Sequence, residues 1–428
     1  MNKNVIAFVS FFFIVAAFGQ TKKLTLEDGV MQQYRAIRPD QVLGFQWIPE
    51  NNKFVYFEEL GKKLMIANPS DTKGTELVSL ATVNTTLKSE FRSFWGMEFK
   101  DASTFILSDG SNYFDYNFVT KKGALVTTTP DGAADQTMNS SKDLVAFTSE
   151  NNLYFIGKDL VKVAVTTETN LGIVSGQTYA RSEFGITGGI FWSPKSTYLA
   201  FYQKDETEVT DYPLLDITET PGKLMNIKYP MIGQKSEKPR VGIYNLATKQ
   251  TVFITPKGAV DAYLTNLSWT PDEKYVLIAE VNREQNDMSL HLYDAQTGAF
   301  IRTLLNEKND KWVEPEHPAY FPSAKSNNFV WFSEKDGFQN LYYYSIDGKL
   351  IKQLTSNKFV TKSILGANSK GTELYIEATG PNGMNTLAYK VDLKGKQTLL
   401  TKTEGTHTVA VNFDGSYFFD EYSNHTTP

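Results

Sequence analysis

The sequence has no cysteine, which excludes disulfides, thiolate metal sites and a cysteine nucleophile. It has four histidines, His291, His317, His407 and His425, none in H-E-x-x-H spacing, so nothing points to a zinc hydrolase or to any other cofactor. No long basic run accompanies the net charge of −5, which argues against nucleic acid as a partner. Beyond the first twenty residues no apolar run approaches the ~18 residues of a membrane-spanning helix. What is abundant is aromatic side chains, 13% of 428 residues with 29 Phe and 22 Tyr, a bias that favours strands.

The N-terminus reads as an export signal. Lys3 gives a positive start, Val5 to Phe18 is apolar, and Ala17-Phe18-Gly19 places small residues at the −3 and −1 positions. Cleavage is expected before Gln20, leaving a chain exported to a periplasm or the cell exterior. The expected organisation is a signal peptide at 1–19, a lead segment at 20–41 with a short helix near Leu26 to Tyr34, and a repeat domain at 42–428.

The repeat is a tag followed by an apolar run. Trp47-Ile48-Pro49 precedes Phe54-Val55-Tyr56, and Phe99-Lys100-Asp101 precedes Phe105-Ile106-Leu107. Met138-Asn139-Ser140 precedes Leu144-Val145-Ala146-Phe147, Trp192-Ser193-Pro194 precedes Tyr198-Leu199-Ala200-Phe201, and Trp269-Thr270-Pro271-Asp272 precedes Tyr275-Val276-Leu277-Ile278. Weaker copies begin near Phe321, Ala367 and Asn412. Most starts lie about 40–55 residues apart, the period of a propeller blade. Hairpin turns such as Asp347-Gly348 and Thr297-Gly298 follow within the units. Four short strands per unit, repeated eight times, predict an all-β, eight-bladed β-propeller whose last blade is short of a strand. A pair of β-sandwiches would not repeat the tag.

Two features interrupt the period. Asp205 to Glu237, rich in Pro, Asp and Thr, reads as an insertion beyond the blade strands. Gly176 to Gly189 places Arg181, Ser182 and Glu183 between two blades, with glycines that permit tight turns. Loops on a rigid scaffold are where function concentrates. Other groups point to little: Asp205-Glu206-Thr207-Glu208 lacks the Asp-x-Asp-x-Asp-Gly pattern of a calcium loop, and Glu314-Pro315-Glu316-His317 reads as the entrance to the sixth blade. Trp192, Trp269 and Trp331 read as packing between blades.

Arg181-Ser182-Glu183-Phe184-Gly185-Ile186, with Gly189-Ile190-Phe191-Trp192-Ser193-Pro194-Lys195 and Ala200-Phe201-Tyr202-Gln203-Lys204-Asp205-Glu206, resembles the N-terminal propeller of the dipeptidyl peptidase IV family of serine peptidases. Within it the chain is most similar to the prolyl tripeptidyl peptidase branch. The likeness continues through Val241 to Leu246, Leu264 to Trp269, Ala279 to Arg283, Trp312 to Pro315 and Trp331 to Phe338, covering roughly 25 to 428. The resemblance implies that the whole enzyme continues into an α/β-hydrolase domain carrying a Ser nucleophile on a G-x-S-x-G turn, and that family members often dimerise. The sequence contains no G-x-S-x-G; Asp109-Gly110-Ser111 and Asp414-Gly415-Ser416 read as hairpin turns. This chain by itself is therefore expected not to hydrolyse peptides.

The resemblance further implies that the propeller holds the free N-terminus of a peptide, with Glu183 as the carboxylate that meets its ammonium. Dipeptidyl members carry two adjacent Glu in this loop; here Ser182 precedes a single Glu183, which suits the tripeptidyl branch. They also offer an Arg from the second blade, and no Arg lies between Arg92 and Arg181. For Arg181 two readings stand, pairing with Glu183 to orient it, or a surface charge. The partners implied are a peptide with a free N-terminus, an α/β-hydrolase domain and a second copy of the chain. Two alternatives stay open, a stand-alone peptide- or protein-binding propeller and a degenerate fragment without activity.

Overall fold

The computed structural model describes residues 23–33, 39 and 41–427; the side chains of Arg181 and Ser182 are not among the described ones. The expected signal peptide and its cleavage site lie outside the described residues. The chain divides into two units, 1–41 and 42–428. In the first, the expected short helix is a π-helical turn, Asp28–Gln32. It starts where Thr25 and Asp28 exchange hydrogen bonds, the Asp28 N–H to Thr25 Oγ1 at 3.0 Å and the Thr25 N–H to Asp28 Oδ2 at 3.0 Å.

In the second unit a short polar residue, the second of the Trp192 and Trp269 tags, explains the turn that follows it. The Ser193 N–H donates to the Tyr198 carbonyl at 3.0 Å while the Tyr198 N–H returns to Ser193 Oγ at 2.9 Å. Thr270 does the same with Tyr275, and Asn412 with Tyr417. A short polar side chain thus stands in for a backbone acceptor and sends the chain back antiparallel. The next strand is apolar because both faces are covered: Val276, Leu277, Ile278 and Ala279 are all buried.

The result is a β-propeller of seven blades, each an antiparallel sheet of three to five strands, at 43–79, 98–128, 134–164, 173–253, 263–308, 320–353 and 361–399. The expected eight blades are not formed. The eighth repeat supplies a two-stranded sheet, Thr406–Val411 paired with Phe418–Ser423, and no further described strand pairs with it. This closing hairpin sits against the first blade: Phe419 stacks on Phe45 with ring centroids 4.0 Å apart. The apolar clusters lie between successive blades, such as Tyr202 and Ile243 with Leu264 and Ile278 between the fourth and fifth. Trp192 and Trp269 tie blades together as expected, each donating its indole N–H to the inner strand of the preceding blade, at Thr137 and Phe191. Trp331 is buried in the same kind of interface, between the fifth and sixth blades.

The insertion forms a two-stranded ribbon, Asp211–Asp216 paired with Lys223–Lys228. One helix escapes the β reading, Leu80–Leu87, whose Ser79 cap accepts the Thr82 N–H at 3.3 Å. Among the described residues no helix is long and apolar enough to cross a membrane.

Candidate functional site

Glu183 lies on a six-residue 3-10 turn, Ala180–Gly185, which sits not between two blades as expected but within the fourth, between Ile173–Ser175 and Ile190–Trp192, both of which pair with the strand Tyr198–Asp205. Two buried aromatics clamp the turn to the adjoining strand Tyr263–Trp269. The Tyr179 hydroxyl accepts the Leu264 N–H at 2.7 Å and donates to the Leu264 carbonyl. Burial pushes that hydroxyl well above its ordinary range, so it stays protonated and keeps donating. At the other end the Phe184 carbonyl accepts from Thr265 Oγ1 at 2.7 Å, and the Phe184 ring meets Tyr263 edge-on at 4.9 Å. With Tyr179 and Phe184 turned into the core, Glu183 is left exposed to solvent.

The geometry needs left-handed backbone at Ala180, Phe184 and Gly185. Gly185 also leaves no room for a side chain, since a Cβ there would lie 2.1 Å from the Glu316 carbonyl oxygen. Asn266 holds the facing segment by donating to the Pro315 carbonyl at 2.6 Å. Glu314-Pro315-Glu316-His317 therefore walls the turn before the chain enters the sixth blade at Tyr320, which pairs with Val330.

Glu183 borders a cavity of about 160 Å³ together with Tyr179, Glu237, Asp261, Tyr263 and Arg283. That is ample room for several waters or for the head of a ligand. Arg283 faces it with its guanidinium over the Tyr263 ring, Nη1 donating to the Tyr263 hydroxyl at 2.8 Å. Glu237 reaches in from the foot of the ribbon and accepts the Ala180 N–H at 3.0 Å. Asp261 comes from a loop pinned by buried Glu280, whose carboxylate accepts the N–H groups of Lys257 and Gly258, the latter at 2.7 Å.

A net negative pocket of this size fits a cationic head group. Of the two residues expected here, Glu183 borders the cavity, and the Arg181 side chain is outside the described residues. Glu237, Asp261, Tyr263 and Arg283 were not foreseen: they come from three separate segments, and only the position of Arg283 within a family-like stretch marked it.

Other groups resolve into structural roles. Glu206 pairs with Lys204 at 2.8 Å, Glu208 with Lys235 and Lys238, and Asp205 caps Thr207, so the acidic run is neutralised in place. Among the described residues no group of His, Asp and Glu could hold a metal ion. Asp109 and Asp414 accept the N–H groups of Ser111 and Ser416 in hairpin turns. A larger cavity, about 550 Å³, lies between 306–316 and 332–339. Its Glu334 carboxyl is raised by burial and then by the charges of Glu314 and Glu316, and Glu307 is raised mainly by burial.

The sequence model of the dipeptidyl peptidase IV (DPP IV) N-terminal region matches residues 103–428, a span that contains every residue of the Glu183 cavity. The chain belongs to the dipeptidyl peptidase IV N-terminal region family. A crystal structure from Bacteroides ovatus, named as a dipeptidyl aminopeptidase IV, is 32% identical and superposes with a TM-score of 0.83 over 94% of this chain and 59% of that one. Porphyromonas gingivalis dipeptidyl peptidase 4 shares the fold, with a TM-score of 0.77 at 20% identity over 95% of this chain and 59% of that one. A protein from Uncinocarpus reesii described as probable dipeptidyl-aminopeptidase B is 26% identical over 74% of this chain and 38% of its own length. The chain thus spans little more than a third of that curated relative.

Proposed function

We propose that this chain is the substrate-gating, N-terminus-binding propeller of an exported serine exopeptidase that releases di- or tripeptides after proline, and that it is not catalytic by itself. The observation that carries the reading is the placement of Glu183 at a small acidic cavity, on a turn held rigid from both sides. An ammonium entering there forms a charge-assisted hydrogen bond to a carboxylate fixed in advance, worth about 1.5–3 kcal/mol. Fixing the N-terminus at a set distance from a reactive serine makes an exopeptidase. The serine itself belongs to an α/β-hydrolase domain, and residues 1–428 carry no G-x-S-x-G turn.

Arg181 orients Glu183 in this reading, and the closing hairpin is the eighth repeat of an eight-repeat propeller. Export to a periplasm or the cell exterior rests on the leader at Val5 to Phe18. A second copy of the chain is the further partner. The ribbon exposes Leu215, Ile217, Leu224 and Met225, an apolar surface of the kind that meets another protein.

The test is calorimetric titration of this chain with a Xaa-Xaa-Pro tripeptide and its N-acetyl derivative. Glu183→Gln is expected to weaken the free-amine peptide about tenfold or more and to leave the acetylated one unchanged. Equal losses for both peptides would remove Glu183 from the ammonium role.

A further inference from the structure

We propose that Glu237, at the foot of the ribbon, is the second carboxylate of this site and binds the substrate ammonium directly. The inference rests on the reading of Glu183 as the N-terminus acceptor. A primary ammonium carries three N–H donors and no acceptor, and a single exposed carboxylate leaves part of that demand to water. The turn offers only Glu183, because Ser182 stands before it. Glu237 borders the same cavity from a segment more than fifty positions away.

Its carboxylate is held and available at once. Oε1 accepts the Ala180 N–H at 3.0 Å, which fixes the side chain against the turn that carries Glu183. No described donor bonds Oε2. The lysines that flank Glu237 in sequence are withdrawn from it, since Lys235 and Lys238 each bind an oxygen of Glu208. The arginine that lines the cavity, Arg283, is committed to Tyr263. Among the described residues the negative charge at Glu237 is therefore left for a ligand, and a cation in the cavity that Glu183 and Glu237 both line has two carboxylates to meet. The insertion that breaks the blade period acquires a role in substrate recognition through its last residue.

Glu237→Gln tests this in the intact chain. The amide oxygen still accepts the Ala180 N–H, so the turn stays and only the charge goes; protection of the Ala180 amide from hydrogen exchange checks that. The expected result is about tenfold weaker binding of a free-amine Xaa-Xaa-Pro tripeptide, with its N-acetyl derivative unaffected. Glu237→Asp keeps the charge and retreats from Ala180, and is expected to lie closer to the wild type than Glu237→Gln does. A loss with Glu237→Asp as large as that with Glu237→Gln would make Glu237 a positioning residue and overturn the direct role. Wild-type affinity in Glu237→Gln alongside a loss in Glu183→Gln would overturn the inference and leave the N-terminus reading standing. Equal affinity for both peptides in the wild type and in every variant would overturn that reading, and this inference with it.

Discussion

Trp47 donates its indole N–H to the carbonyl of Ala410 at 2.9 Å, across 363 positions of sequence. This is the same tie that Trp192 makes to Thr137 and Trp269 to Phe191. The first blade therefore treats the closing hairpin as its preceding neighbour, and the Phe45–Phe419 stack backs the bond. Trp47→Phe keeps most of the ring and removes the donor. It is expected to cost about 1 kcal/mol, read as a lower denaturation midpoint, with faster hydrogen exchange in Thr406–Val411. An unchanged midpoint and unchanged exchange would show that the bond does not close the ring.

Gly185→Ala is expected to destabilise the chain by roughly 1–3 kcal/mol and to weaken free-amine peptide binding. The residue has φ +70°, and an added Cβ would collide with the Glu316 backbone. Gly188→Ala is the internal control. Its Cβ meets nothing within 4 Å, so its effect is expected to stay within about 0.5 kcal/mol. Thermal melts and titrations of the two variants decide whether the turn is rigid for the reason given.

Burial raises the Glu307 carboxyl above its ordinary value of 4.5. The folded state then binds a proton more readily than the unfolded state. Between 4.5 and the raised folded value stability falls as pH rises, and above that window the full cost of the buried charge is present. Glu307→Gln is expected to melt at a higher temperature than the wild type at neutral pH, with the gap closing as pH is lowered towards 4.5. A variant less stable at neutral pH, by an amount independent of pH, would contradict this.

The tags were legible because one short side chain does the same work at Ser193, Thr270 and Asn412, and a repeated physical device leaves a repeated sequence. Eight tags did not mean eight blades: a tag marks where an inner strand ends, and after Asn412 one strand follows among the described residues. The helix Leu80–Leu87 was illegible because it is short and threonine-rich. Thr85 and Thr86 return their hydroxyls to the carbonyls of Ala81 and Thr82, at 2.8 and 2.9 Å, and only Leu80, Val83 and Leu87 mark its buried face. In the site, Glu183 could be found because its neighbours in sequence form a motif. Glu237, Asp261 and Arg283 could not, since nothing local says that the foot of a ribbon and two loops of the next blade share one cavity.

The central claim is that the Glu183 cavity recognises the charged N-terminus of a peptide. The most direct measurement is the affinity of the wild-type chain for a Xaa-Xaa-Pro tripeptide and for its N-acetyl derivative, from about pH 6 to about pH 9, on either side of the α-amino pKa near ~8. The account predicts that the free-amine peptide binds at least about tenfold more tightly at the lower end, that this advantage fades as the amine loses its proton, and that the acetylated peptide is weak throughout. Equal affinity for the two peptides across the range would contradict it.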